Sequence, residues 1–376
     1  DRSPSRGLGD VYKRQAAKQW RSLEYFLSHP AVARDYPCTI SIGRVDEHQT
    51  TVGEALTMLA DRVKQAEDGG CDIAEGSEGA VYINAWDFVR GGSGALQDDF
   101  SIPKLFDRAP SWLAEHAVFG NAAVDLRWLY IGEGGTGSPT HIDPNLSSAW
   151  LWLAHGEKSW VCAHGDDCAL IHEAMASGSS DCSDGSDDGT AGYDGTSLPD
   201  LFRPNLFERH PKLRQARLYR GLQRAGEIVF NPSCCVHAVR NVSPLVVSLT
   251  HNFIDATNFV DALHDATRSF HEELIPMVRT LGPKKVLKTL ASSLHLKKSR
   301  IQRLLESLPR LLTEEKMHSL IEAAVEGASD EAEESSIRTL LSQHLAEGLE
   351  HEREPFEAAA LELCELLFSQ LSLPNR

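Results

Sequence analysis

The segment SPTHIDPNLSSAW (138–150) sets His141 and Asp143 two residues apart in a stretch with strand character. Alternate residues of a strand point to one side, so this imidazole and this carboxylate share a face. If that face is the inside of a fold, burying the pair is costly unless something binds it, and a metal ion would. A third ligand should come from a late strand of the same core. GEIVFNPSCCVHAVRNV (226–242) offers His237, after a strand, a Pro turn and a short approach. Two imidazoles and one carboxylate on one face of an octahedron suit a ferrous ion and leave three positions open. Two can take a chelating 2-oxoacid and one can take dioxygen. A closed thiolate set would instead have pointed to structural zinc. His-x-Asp alone specifies little; an apolar hairpin after it and a later GEIVFNP…H in a β-rich context specify much more.

A co-substrate with a second carboxylate needs a cation deep in an apolar pocket. Lys158 sits between Gly156 and Trp160, on the second arm of the hairpin that follows His141. A buried ammonium is costly unless paired, and a carboxylate with a hydroxyl would satisfy it through charge-assisted bonds. Without the triad, a lysine exposed at a strand start would be the simpler expectation.

The elements that must position these residues are strands. DLRWLYIGE (125–133), SAWLWLA (148–154), KSWVCAH (158–164), GEIVFNP (226–232), VHAVRNV (236–242) and LVVSLTHNFI (245–254) are rich in Val, Trp, Ile and Leu and are separated by turn residues. That pattern predicts an antiparallel β core, with HGE (155–157) as a tight turn. Upstream, residues 15–28 are expected to be helical through Trp20, Leu23 and Phe26, with strands at 38–44 and 80–88 and short helices over 101–117. Thr51 and Glu54 form a capping box for a helix with Val52, Leu56, Leu59 and Val63 on one face. Residues 175–198, ASGSSDCSDGSDDGTAGYDGTS and its flanks, hold almost no apolar content and are expected to be a disordered acidic insert. From 257 onward the period is helical, through Leu304, Leu305, Leu308, Leu311 and Leu312, then Ile337, Leu340, Leu341 and Leu345, then Leu363, Leu366 and Leu367. KKVLKTLASSLHLKKSR (284–300) is a basic stretch for which a solvated helix face is the default.

The chain has 376 residues, 41% apolar and 24% charged, with a formal net charge of -17. It can bury a sizeable core. So acidic a surface disfavours phosphate backbones, and nucleic acid is not expected as a partner; a basic protein or peptide is. No apolar run is long enough to span a bilayer, so no membrane partner is expected. The eight cysteines include no CxxC pair and suggest free thiols in a reducing compartment, hence the nucleus or cytoplasm. The Asn-x-Ser triplets at Asn145 and Asn241 fall in segments assigned to the core and are not expected to carry sugar. Residues 1–15 lack an apolar region, resemble translated adapter sequence rather than a native start or a signal peptide, and are set aside.

RWLYIGEGGTGSPTHIDPNLSSAWLWLAHGEKSW and GEIVFNPSCCVHAVRNVSPLVVSLTHNFIDATNF together resemble the Jumonji-C family of Fe(II)- and 2-oxoglutarate-dependent oxygenases. The similarity is to its small lysyl-hydroxylase branch, once described as a phosphatidylserine receptor, and to a sister branch acting on a translation termination factor. It covers residues 80–262. The resemblance implies a double-stranded β-helix, a cupin-like jelly roll. The expected organisation is an N-terminal α/β buttress (16–120), the jelly-roll core (121–256) and a C-terminal helical region (257–376), whose helices serve packing or homodimerisation. It implies His141, Asp143 and His237 as iron ligands. Lys158, Thr250 and Tyr82 match the groups at the far carboxylate of 2-oxoglutarate, Asn252 an asparagine near its metal-binding end, and Ser138 a threonine that lines the pocket. Leu151 departs from an asparagine of the close relatives, and SCCV (233–236) from an aromatic-rich turn.

The activity implied is hydroxylation of a protein side chain, lysyl first, with consumption of dioxygen and release of succinate and CO2. N-methyl demethylation of histone-like tails would use the same residues. A non-catalytic scaffold of the same fold is the alternative of a different class, and the intact triad with Lys158 and Thr250 argues against it.

Overall fold

Strands rich in β-branched and aromatic residues, joined by turns, assemble into two antiparallel sheets. The structure, a computed structural model, describes residues 16–42, 46–69, 79–102, 106, 126–171, 189–191, 197–293, 312–326 and 328–368. In chain order the strands are β1 (Pro37–Ile42), β2 (Asp46–Thr51), β3 (Val81–Trp86), β4 (Arg127–Gly132), β5 (Gly137–His141), β6 (Ser148–His155), β7 (Glu157–Ala163), β8 (Gly189–Ala191), β9 (Ser197–Pro199), β10 (Leu218–Arg224), β11 (Ile228–Asn231), β12 (His237–Asn241) and β13 (Val246–Phe253). Seven form one sheet in the order β11-β6-β13-β4-β3-β1-β2, and four form the other in the order β10-β7-β12-β5. This is the expected jelly roll, and β1–β3 extend its larger sheet. The turn at 155–157 joins β6 to β7 through Gly156 at φ +84°, a left-handed position that favours glycine.

Two compact units divide the chain: residues 1–103, 125–144 and 148–252 in one, and 104–124, 145–147 and 253–376 in the other. In the first, the aromatic residues of the N-terminal segment build a buttress. Trp20 packs on Phe26, Phe100 and Trp152 with centroids 5.6–6.0 Å apart, and Phe88 joins Trp86 and Phe100. Buried Asp99 ties this cluster together, accepting from Trp20 Nε1 (2.9 Å) and Tyr25 Oη (2.5 Å). The helix expected over 15–28 is two short ones, Ala16–Gln19 and Leu23–Ser28, because Ser22 caps the second by accepting from Glu24 N. The box at Thr51 and Glu54 forms as expected, each side chain accepting from the other's backbone N–H at 3.3 Å, ahead of helix Val52–Gly69.

In the second unit, helix Phe259–Ser269 buries Phe259, Ala262, Leu263 and Ala266. The long helix Glu331–Phe368 packs on it so closely that a Cβ at Gly348 would lie 2.5 Å from Val260 Cγ2. Leu345, Leu363 and Leu367 are buried as the helical period requires, whereas Leu340 is 64% exposed. The helices expected within 101–117, the stretch from Leu304 to Leu311, residues 294–300 of the basic segment and most of the acidic insert lie outside the described residues. The described ends of the insert, β8 and β9, pair with each other.

Candidate metal centre and anion pocket

His141 closes β5 and His237 opens β12, and the two strands pair with these residues directly opposite. Their rings lie 4.2 Å apart. Asp143 follows two residues after His141, and one ligand atom from each of the three falls within 4.8 Å of the others. Among the described residues this is the cluster able to hold a metal ion. Each imidazole is oriented through its Nδ1: that of His141 lies 2.7 Å from Pro139 O and that of His237 3.0 Å from Cys235 O. A carbonyl can only accept, so at His141 Nδ1 carries the proton and Nε2 keeps its lone pair for a metal; at His237 the amide Nδ2 of Asn231 also lies 3.2 Å from Nδ1. Burial, reinforced by the neighbouring His237 and opposed by Asp143, lowers the pKa of His141 to about 4. Its ring is therefore neutral and ready to ligate at ordinary pH. The donor set of two imidazoles and one carboxylate fits a ferrous ion.

Asn231, which ends β11, donates Nδ2 to Asp143 Oδ2 at 2.6 Å. The bond engages one carboxylate oxygen and leaves Oδ1 on the side of His141 Nε2, 4.0 Å away. The sequence motifs do not point to Asn231, although an asparagine ending the apolar run IVF is a signal. Trp160 stacks on His237 at 5.8 Å and 21°. Trp160, Val239 and Leu151 form an apolar wall between the sheets. Leu151 thus presents hydrocarbon to this wall.

Lys158 is buried, 1% exposed, although it lies one residue from the start of β7. Its Nζ donates to Asn241 Oδ1 at 2.9 Å and lies 5.6 Å from the centre of the Tyr82 ring. Neither partner carries a full negative charge, and burial lowers its pKa to about 7. Among the described residues this buried ammonium faces an amide and an aromatic ring, surroundings that a carboxylate would complete.

The wall opposite Lys158 follows from strand register. Gly132 lies opposite Tyr82 on β3 and Val246 on β13. A Cβ on Gly132 would sit 2.4 Å from Tyr82 Cδ2 and 3.0 Å from Thr136 Oγ1. Thr136 Oγ1 accepts from Asn241 Nδ2 at 2.9 Å, and Asn241 in turn holds Lys158. The face of β4 that bears Gly132 therefore meets the Lys158 network. Directly opposed residues of a ladder share a face, so Thr250, opposite Trp128, lies on this face too. Its Oγ1 is buried with no hydrogen-bond partner among the described residues. Lys158 thus lies over the Tyr82 ring, Thr250 is on the β13 face opposite that side of β4, and Asn241 and Thr136, which the motifs do not point to, hold the lysine.

Ser138 reaches the metal side by a bulge. Between the pairs His237↔His141 and Val239↔Ser138, β5 spends three residues where β12 spends two. The extra residue restores Ser138 to the face of His237, which simple alternation from His141 would deny it. Asn252 is buried near the end of β13, its backbone N–H bonded to Leu126 O at 3.1 Å.

Residues 128–253 match the family model described as JmjC domain, hydroxylase. The 2-oxoglutarate and iron-dependent oxygenase JMJD4 of Mus musculus is 31% identical over 191 residues, 50% of this chain and 40% of its own length. Arginine-specific demethylase JMJ22 of Arabidopsis thaliana is 28% identical over 181 residues, 48% of this chain and 32% of its own. Bifunctional arginine demethylase and lysyl-hydroxylase psr-1 of Caenorhabditis briggsae is 26% identical over 169 residues, 43% of this chain and 37% of its own. The chain spans well under half the length of these curated relatives. The matching domain, the jelly-roll topology and a His-Asp-His cluster at the expected positions agree, so residues 128–253 are similar to a JmjC domain.

Proposed function

We propose that this chain is an Fe(II)- and 2-oxoglutarate-dependent oxygenase that hydroxylates a protein side chain, lysyl in the first instance. The observation that carries the reading is the pairing of two sites on one jelly roll: a triad suited to a ferrous ion, and a buried lysine with no carboxylate partner among the described residues. Iron and 2-oxoglutarate, when bound, supply the oxidising chemistry that puts an oxygen atom into an unactivated C–H bond, with succinate and CO2 released. His141, Asp143 and His237 hold the metal, and Pro139, Cys235 and Asn231 hold those ligands in orientation. Lys158 and Thr250 anchor the far carboxylate, with Tyr82 beside them; Asn252 and Ser138 line the pocket. Trp160, Val239 and Leu151 keep water from its apolar wall. No side chain is needed as a general base.

The net charge of -17 supports a basic peptide as substrate, and we assign the C-terminal helices a role in self-association. The demethylase names among the relatives favour a second reading, removal of an N-methyl group from arginine or lysine. Anaerobic addition of Fe(II) and 2-oxoglutarate should produce a weak visible charge-transfer band that His237→Ala abolishes. A folded protein without the band refutes the oxygenase reading. With a basic peptide and oxygen, a product one oxygen heavier marks a hydroxylase, whereas formaldehyde release marks a demethylase.

A further inference from the structure

We infer that Ser248 is an additional anchor for the far carboxylate of the co-substrate. The inference rests on the oxygenase reading above. Ser248 is fully buried in the middle of β13, and its Oγ makes no hydrogen bond among the described residues. A buried, unpaired hydroxyl is costly, and native structures seldom keep one without a use. It lies two residues before Thr250, whose Oγ1 is equally unpartnered, so both hydroxyls point to the same side of the strand. That side meets the Lys158 network: Ser248 is opposite Tyr130, the Tyr130 ring is 5.9 Å from that of Tyr82, and Tyr82 lies under Lys158 Nζ. Along β13, Ser248 stands between Thr250 and Val246, and Val246 opposes Gly132, where Thr136 and Tyr82 converge. Along β13 its backbone is therefore closer than that of Thr250 to the level of Gly132.

The test compares 2-oxoglutarate with 2-oxobutyrate, a 2-oxoacid that chelates metal but lacks the far carboxylate, on Mn(II)-loaded protein by calorimetry. Ser248→Ala should weaken 2-oxoglutarate binding about tenfold, the loss of one hydrogen bond to a charged group. It should leave the affinities for Mn(II) and for 2-oxobutyrate unchanged. The metal-free variant should melt at a higher Tm than the parent, because an unpaired buried hydroxyl has gone, and Ser248→Cys should bind 2-oxoglutarate with intermediate affinity. An unchanged preference for 2-oxoglutarate over 2-oxobutyrate in Ser248→Ala overturns the inference, as does equal weakening of both acids. A parent protein that shows no preference between the two acids removes the oxygenase reading and this inference together.

Discussion

Lys158→Met should stabilise the metal-free protein near neutral pH while abolishing its response to 2-oxoglutarate. Methionine keeps most of the stem volume and removes the charge. In the folded chain burial brings the Lys158 pKa from 10.5 to about 7. The sign follows from proton counts. Between these values the unfolded chain binds more protons than the folded one, so this lysine makes stability rise with pH. Its cost is full below pH 7 and gone above pH 10.5. Integrated over that window, the cost at pH 7 is about 4 kcal/mol and at pH 9 about 2 kcal/mol. Against it stands the bond to Asn241, whose Oδ1 loses its donor in the variant at a cost of about 1–3 kcal/mol. The net gain for Lys158→Met is then about 1–3 kcal/mol at pH 7, and it shrinks by about 2 kcal/mol by pH 9. Urea unfolding followed by tryptophan emission measures it. Trp20, Trp86, Trp128, Trp150, Trp152 and Trp160 all lie in the unit that holds Lys158. Parallel stability–pH curves for parent and variant would refute the reasoning, because they would mean that the folded lysine is not held in a low dielectric. Protection of the variant by 2-oxoglutarate as strong as that of the parent would remove Lys158 from the pocket.

Two further substitutions probe the supports of the site. Asn231→Ala frees Asp143 Oδ2 and should weaken Mn(II) or Fe(II) binding about 10–100-fold; an unchanged affinity in a competition titration would show that Asp143 needs no orienting partner. Gly132→Ala places a methyl group 2.4 Å from Tyr82 Cδ2. The buried ring must shift, so stability should fall by about 1–3 kcal/mol and 2-oxoglutarate should bind more weakly. Unfolding and titration curves superimposable on the parent's would show that Tyr82 has room to move.

The chemistry was legible in the chain because it is written in local periods. His141 and Asp143 are two apart, the spacing of one strand face, and the apolar strands around them announce a β core. Gly156 marks the hairpin that carries Lys158, since the turn there needs a left-handed residue. Strand β10, LYRGLQR, escaped notice for a physical reason. It is the edge of its sheet, most of its side chains are exposed, and no apolar alternation is imposed on it. Only the tertiary structure decided the rest. The bulge that turns Ser138 to the metal side depends on how β5 registers against β12, which neither strand states alone. Asn231 meets Asp143 across 88 residues of chain, and Asn241 meets Lys158 across 83. Such pairings belong to strands brought together by the closing of two sheets. A polar residue in an apolar strand therefore signals that it needs a partner, while the fold alone determines which partner it finds.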